Sequence, residues 1–209
     1  MGDPEQNVTV IGIAGASGSG KSFFAEKLKK ALCGQSVVIL SQDYYYHDKT
    51  EIPLPTRQTI NYDHPDAIDF QLFRQQLENL KKRIPVDHPV YDFSTHNRTA
   101  ETIRIEPADI VIVDGILIYA VPALLELFDL KVYVETPMDI CLARRLERDV
   151  QERGRTVESV ITQYFGSVRP MFLEYVSPSQ KHADIVVYGL GEMKNDVERV
   201  INTIYKKLN

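Results

Sequence analysis

Several features are absent from the sequence, and each absence excludes a class of protein. No run of apolar residues approaches the ~18 that a membrane-spanning helix needs, so no such helix is expected. Cys33 and Cys141 are the only cysteines; they lie far apart within helical patterns, so we expect two buried free thiols. No pair of cysteines or histidines has the spacing of metal ligands, which argues against a metal site built from those residues.

A strongly basic surface is not expected either, because 24 lysines and arginines are outnumbered by 29 aspartates and glutamates. The resulting net charge of -5 argues against nucleic-acid or membrane partners, which bind to basic patches. The first residues, Met1 to Asn7, are polar and lack the apolar core of a signal peptide. A cytoplasmic location is therefore expected.

Apolar, β-branched segments alternate with helical patterns along the chain, and a length of 209 residues favours a single domain over residues 1–209. Buried strands joined by helices predict an α/β fold with a five-stranded parallel sheet and helices on both of its faces. The strands are predicted at 8–14, 36–40, 110–114, 131–135 and 184–188. Helices are predicted at 23–32, 67–82, 137–152, 157–175 and 193–208, with Thr136 as the N-cap of the third and Pro137 as its first residue.

Two segments interrupt this alternation. Residues 44–66 are rich in Tyr, Pro, Asp and Thr without periodicity, and a loop of that length is usually functional. Residues 84–106 predict a small β-hairpin insertion with arms near 85–93 and 101–105. Prolines in the first arm would confine it to an edge.

The most informative segment is Gly-Ala-Ser-Gly-Ser-Gly-Lys-Ser at 15–22, which fits the phosphate-binding P-loop pattern G-x-x-x-x-G-K-[ST]. A buried strand precedes it and an amphipathic helix follows, as that motif requires. Its glycines let backbone N–H groups face an anion, and the helix N-terminus adds positive charge. Lys21 can reach the β- and γ-phosphates, and the Ser22 hydroxyl can ligate Mg²⁺. We therefore predict a nucleotide-binding loop formed by Gly15, Ala16, Ser17, Gly18, Ser19, Gly20, Lys21 and Ser22.

Two carboxylates follow predicted parallel strands, at the sheet edge where ligands bind in such folds. Asp114 ends an apolar strand and is typical of a Walker-B carboxylate, which holds Mg²⁺ directly or through water. Asp43 is the better candidate for a base beside an acceptor hydroxyl. A turn or cap role is the alternative for both aspartates. The candidate metal ligands are Ser22, Asp43 and Asp114.

Five arginines fall within twelve residues: Arg144, Arg145, Arg148, Arg153 and Arg155. Arg145 and Arg148 are three residues apart and so share one helix face. Arg153 and Arg155 flank a glycine between two helices, which is typical of a lid that closes over phosphate charge. The alternative is a solvated helix face, which we favour for Arg144. Its acidic partners would be Glu147, Asp149 and Glu152.

Four further segments carry a family resemblance beyond the P-loop. They are 41–46 (Ser-Gln-Asp-Tyr-Tyr-Tyr), 61–69 (Asn-Tyr-Asp-His-Pro-Asp-Ala-Ile-Asp), 89–98 (Pro-Val-Tyr-Asp-Phe-Ser-Thr-His-Asn-Arg) and 114–117 (Asp-Gly-Ile-Leu). Together with the arginine run at 144–155, they resemble the uridine kinase family, also called uridine–cytidine kinase. This family lies among the P-loop kinases related to phosphoribulokinase and pantothenate kinase. The resemblance extends from the P-loop to the final strand and implies the P-loop kinase fold with an arginine-rich lid.

The resemblance also implies the reaction: transfer of the γ-phosphate of ATP (or GTP) to the 5′-hydroxyl of uridine or cytidine, with Mg²⁺. By the family pattern, Asp43 approaches that hydroxyl as base, while Asp63 binds the ribose hydroxyls with the help of Arg145. The implied catalytic set is Asp43, Lys21, Arg148, Arg153 and Arg155. The implied substrate-binding set is Tyr62, Asp63, Tyr91, Phe93, His96, Arg145 and Gln163. A surface role in a polar loop stays open for His96, and a homo-tetramer is implied only weakly.

One position departs from the family pattern, because members commonly carry Glu where this chain has Asp114. The shorter side chain is consistent with metal contact through a water. Two other functions stay open: a related kinase of the phosphoribulokinase or pantothenate kinase type, and a non-catalytic nucleotide-binding module. A regulatory GTPase is disfavoured, because the sequence has no Asn-Lys-x-Asp motif.

Overall fold

The computed structural model describes residues 8–208, so the polar segment 1–7 and the expectation drawn from it lie outside the described residues. The main sheet consists of β1 (Thr9–Gly15), β2 (Val37–Ser41), β5 (Ile110–Gly115), β6 (Leu130–Glu135) and β7 (Ile185–Tyr188). Its strands are parallel and follow the order β2-β5-β1-β6-β7. The predicted five-stranded parallel sheet is therefore confirmed.

A separate antiparallel hairpin is formed by β3 (Val86–Asp92) and β4 (Asn97–Ile105). Its second arm begins earlier than the predicted start near 101, because the connecting turn is tight. The Asp92 carboxylate accepts hydrogen bonds from the Ser94 amide at 2.8 Å and from the Thr95 hydroxyl at 2.7 Å. These bonds close the turn directly before Asn97.

The helices are α1 (Lys21–Ala31), α2 (Leu54–Arg57), α3 (Phe70–Lys81), α4 (Pro122–Leu125), α5 (Met138–Gln151), α6 (Val157–Gln163), α7 (Arg169–Met171), α8 (Ser177–Ser179) and α9 (Lys194–Leu208). Between α6 and α8 the backbone passes through two π-helical turns, at Tyr164–Val168 and Phe172–Val176. The helix predicted at 157–175 is therefore one of mixed type, and a 3₁₀ turn continues it to His182. Within residues 8–208, every helix is too short or too polar to cross a membrane.

Two apolar cores lie on opposite faces of the sheet, because side chains alternate between faces along each buried strand. In β1, Ile11 and Ile13 belong to the core that contains the apolar residues of α1 and α9. Val10 and Ala14 belong to the other core, which contains those of α3. Helices therefore cover both faces of the sheet, as predicted.

The loop at 44–66, predicted without regular structure, contains α2 and is closed by a β-bridge between Tyr46 and Ile68. Arg57 of α2 donates hydrogen bonds to the carbonyls of Ile52 at 2.6 Å and Thr95 at 3.2 Å. The loop is thereby held against the hairpin.

Two local predictions were wrong. Cys33 is exposed, because α1 ends at Ala31 before the cysteine; Cys141 is a buried free thiol, as expected. Thr136 does not cap α5, whose N-cap is Pro137. The Thr136 hydroxyl instead donates a hydrogen bond to the Ser19 carbonyl at 2.9 Å, which connects the segment before α5 to the P-loop.

Candidate active site

The P-loop joins the carboxyl end of β1 to α1, whose first residue is Lys21. Gly18 has a φ of +83°, and a Cβ there would collide with the backbone carbonyl of Cys141 in α5. Only glycine tolerates both that conformation and that approach. The sequence therefore places backbone N–H groups around a space open to an anion, at a helix N-terminus.

Arg144 also supports this loop, so the prediction that it lies on a solvated face was wrong. Its Nη1 donates to the carbonyl of Gly189 at 2.9 Å, and to those of Ser19 at 3.4 Å and Gly18 at 3.5 Å. The reason is that α5 packs directly across the P-loop, so its inner face meets loop carbonyls and not water.

Asp114 lies at the end of β5, beside the P-loop, and is only 5% exposed. Its Oδ2 accepts a hydrogen bond from the Ser22 hydroxyl at 2.5 Å, whereas its Oδ1 has no partner among the described residues. Burial raises the pKa of this carboxyl, and the nearby charge of Lys21 opposes that rise. A buried carboxylate oxygen without a partner, next to a hydroxyl, fits the oxygen ligands that Mg²⁺ prefers.

A cavity of about 410 Å³ is lined by Lys21 and Ser22, whereas Asp114 lies behind Ser22 and is not among its lining residues. The P-loop, the turn after β2, the hairpin and the segment from α5 to α6 all contribute to its lining. Most of the predicted site residues line it: Ser17, Lys21, Ser22, Asp43, Tyr62, Asp63, Tyr91, Phe93, His96, Arg145, Arg148, Arg153, Arg155 and Gln163. The structure therefore brings into one cavity residues that are far apart in the sequence, such as Ser17 and Gln163, which are separated by 146 positions.

One wall of the cavity is aromatic. Tyr91 lies 4.9 Å from Tyr46 and 5.1 Å from Phe93, measured between ring centroids. Tyr62 stacks on His96 at 5.5 Å, with 25° between the ring planes. Burial raises the pKa of Tyr62 and of Tyr91, so both phenols stay protonated at neutral pH. Sequence reasoning did not single out Tyr46, whose signal was its place in the Tyr-Tyr-Tyr run.

Two polar groups stand at the edges of this wall. Burial lowers the pKa of His96, and the positive charges of Arg155 and Arg153 lower it further, so its imidazole is neutral at pH 7. Asp63 is 7% exposed, and burial raises the pKa of its carboxyl while the charge of Arg145 opposes that rise. The cavity thus offers one neutral imidazole and one nearly enclosed carboxyl group to a ligand.

Asp149 of α5 is shared by four arginines that line the cavity. Its side chain is 1% exposed, and Arg148 donates a hydrogen bond to Oδ1 from Nε at 2.9 Å, while its Nη2 forms an ion pair with the same oxygen at 2.8 Å. The other three form ion pairs with it at 3.5 Å (Arg145), 3.5 Å (Arg153) and 3.8 Å (Arg155). Four guanidinium charges against one carboxylate leave an excess of positive charge beside the P-loop.

Gln163 of α6 completes this cluster. Its side-chain oxygen accepts hydrogen bonds from Arg145 Nη2 at 2.9 Å and from Arg155 Nη1. Sequence reasoning treated Asp149 only as an acidic partner on a solvated face. The signal that could have identified it is its spacing, because it is four residues from both Arg145 and Arg153.

Comparison with known proteins agrees with this geometry. The model of a family described as Phosphoribulokinase / Uridine kinase family matches residues 10–196. The chain belongs to this family. The family membership that the sequence motifs predicted is therefore confirmed.

Curated relatives within the family cover nearly the whole chain. A protein named uridine kinase from Lactobacillus helveticus is 45% identical over 210 aligned positions, which span 100% of this chain and 99% of the relative. Another uridine kinase, from Clostridium botulinum, is 44% identical over 93% of this chain and 95% of its own length. The solved structure of phosphoribulokinase from Rhodobacter spheroides has a TM-score of 0.64 at 14% identity, covering 88% of this chain and 71% of that one. This last likeness supports the fold of the family.

Proposed function

We propose that the chain is a uridine/cytidine kinase of pyrimidine salvage, which transfers the γ-phosphate of ATP (or GTP) to the 5′-hydroxyl of a pyrimidine ribonucleoside. The observation that carries this proposal is the shared cavity. In it a phosphate loop and an arginine cluster face an aromatic wall and an enclosed carboxyl group. The names of the curated relatives support the same reaction.

The phosphate end of the cavity is assigned to the donor nucleotide. Lys21 and the P-loop amides bind its phosphates, while Arg148, Arg153 and Arg155 stabilise the charge that spreads over the transferring group. Ser22, Asp114 and Asp43 would hold Mg²⁺ between them. When bound, that ion neutralises phosphate charge and fixes the phosphate geometry.

The aromatic end is assigned to the nucleoside. Tyr62, Tyr91 and Phe93 offer flat apolar surface to one flat base, and neutral His96 offers a hydrogen bond to its edge. Asp63, in its ionised form and beside Arg145, accepts hydrogen bonds from two adjacent ribose hydroxyls.

Asp43 is assigned the role of the base that acts on the acceptor hydroxyl. It lines the cavity next to both the P-loop residues and Asp63, so it can orient the 5′-hydroxyl and accept its proton as the bond to phosphorus forms.

Measurement of ADP release across a panel of acceptors tests this proposal. We expect turnover with uridine and cytidine, little with adenosine or deoxyuridine, and none with ribulose 5-phosphate or pantothenate. Lys21→Ala is the matched control and should abolish acceptor-stimulated release while the fold is retained. Preferred use of a sugar phosphate or pantothenate would identify a related kinase instead. Binding of ATP without stimulation by any acceptor would identify a non-catalytic module.

The wider setting is part of the same proposal. Residues 1–209 would form one kinase domain, in which 84–106 is the hairpin insertion and the turn between α5 and α6 is an arginine-rich lid. The enzyme would be a cytoplasmic homo-tetramer that uses neither nucleic acid nor a membrane. Light scattering of the purified chain measures the assembly directly.

A further inference from the structure

Phe93 and Arg153 meet across the cavity, although they lie on different parts of the fold. Phe93 is in the turn between β3 and β4, and Arg153 is in the turn between α5 and α6. The guanidinium carbon of Arg153 lies 4.4 Å from the centroid of the Phe93 ring. Both side chains line the cavity, so this contact lies inside the site and not on the outer surface.

The contact is of the cation–π type, because the negative face of an aromatic ring attracts a guanidinium group. Such contacts strengthen when water is removed from them, and the Arg153 side chain is only 27% exposed. Edge-to-face packing on Tyr91, at 5.1 Å, fixes the Phe93 ring itself. The Phe93 ring is therefore supported from one side while its face meets the arginine.

The turn that carries Arg153 is closed by a hydrogen bond from the Arg155 amide to the Asp149 carbonyl at 3.1 Å, but it has no packing at Gly154. Gly154 has a φ of +63°, and a Cβ built on it would meet no atom within 4 Å, so the turn is not packed against anything there. The guanidinium is instead placed by two side-chain contacts: the Asp149 carboxylate at 3.5 Å and the ring face of Phe93.

We propose that Phe93 is a positioning residue for Arg153, in addition to lining the nucleoside pocket. This proposal rests on the function proposed above. The Phe93 ring then affects both nucleoside binding and phosphate transfer, because it contacts the base and also holds the Arg153 guanidinium, which faces the phosphates. A base that displaces this ring moves Arg153 as well, so the identity of the base affects kcat and not only KM.

A double-mutant cycle with uridine as acceptor tests the coupling. Phe93→Leu keeps an apolar side chain but removes the ring face, and Arg153→Gln removes the charge. In the wild-type background we expect Phe93→Leu to lower kcat by about 2- to 30-fold, the range expected of a cation–π contact. In the Arg153→Gln background the same change should leave kcat unaltered, while the uridine KM rises by the same factor in both backgrounds.

Two further variants are controls. Phe93→Tyr keeps the ring face and should restore kcat. Phe23→Leu removes a comparable contact elsewhere, since Lys27 Nζ lies 4.8 Å from the exposed Phe23 ring, and it should leave both kcat and KM unchanged.

NMR reports the contact without any turnover. The Nε–H proton of Arg153 should be shifted upfield by the ring current of Phe93 and should return to its ordinary position in Phe93→Leu. Equal losses of kcat in both backgrounds, or an Arg153 signal that Phe93→Leu leaves in place, would overturn the coupling alone. A wild-type chain that phosphorylates neither uridine nor cytidine would overturn the proposed function, and the coupling with it.

Discussion

Asp149→Asn is the substitution that bears most directly on the arginine cluster. It keeps the size of the side chain and removes the charge that four guanidinium groups share. The asparagine can retain one hydrogen bond from Arg148, but the remaining arginines are left to repel one another. The perturbation thus acts on the placement of the cluster and introduces no cavity.

The magnitude follows from burial. Loss of one partner of a buried ion pair costs roughly 3–5 kcal/mol. The arginine side chains are between 8% and 31% exposed, so water partly compensates and the low end applies, about 3 kcal/mol. For a chain of 209 residues this corresponds to a decrease in Tm of about 6–12 °C. Misplacement of the three arginines that lose their ion pair, Arg145, Arg153 and Arg155, should also lower kcat by about 10²-fold.

Thermal unfolding and steady-state kinetics, measured well below the Tm of the variant, give both quantities. Glu147→Gln is the matched control, because it removes one negative charge from an exposed position of the same helix. It should change neither Tm nor kcat. An Asp149→Asn enzyme with the wild-type Tm and kcat would refute the assignment of Asp149 as the centre of the cluster.

Three further predictions address other groups in the cavity. Asp43→Asn should lower kcat by about 10²- to 10⁴-fold with little change in the KM for ATP; a rise in that KM alone would remove the role of Asp43 as base and leave only its role at the metal. Deoxyuridine should be used less well than uridine, because an Asp63 carboxylate left without its ribose hydroxyl costs about 1–3 kcal/mol; equal use would contradict this role. NMR titration should give His96 a pKa below its ordinary 6.5, owing first to burial and then to Arg155 and Arg153. Arg155→Gln should raise that pKa, and a His96 that titrates at 6.5 in the wild-type chain would contradict the assigned environment.

The sequence predicted the parts of the fold that depend on local patterns. Continuous β-branched runs predicted the buried strands, and the P-loop glycines predicted the junction of β1 and α1, because these signals lie within a few residues of one another. It did not predict that Thr136 and Arg144 bind P-loop carbonyls, since that depends on how α5 packs across the loop. The π-helical turns after α6 leave no periodic signal of their own.

For the candidate site, the motifs predicted correctly which residues line the cavity. They were less informative about which groups each of these residues contacts. Asp149 lies inside a predicted helix among other acids, and nothing in its neighbours distinguishes a buried carboxylate from an exposed one. The contact between Phe93 and Arg153 joins two turns separated by sixty residues, since 153 − 93 = 60, so no local pattern could show it.

The bonds from Thr136 and Arg144 to the P-loop carbonyls constrain how the enzyme can move. One bond joins the phosphate loop to α5 and the other joins it to the residue two positions before α5, so we expect the helix and the loop to move together. We therefore expect any rearrangement of the arginines around a nucleotide to bend the chain after Gln151, where α5 ends. At Gly154 in this segment, a Cβ would have no atom within 4 Å. In hydrogen exchange, amides of the first turns of α5 and of the loop should open together, and the Gly154 amide should exchange independently and faster.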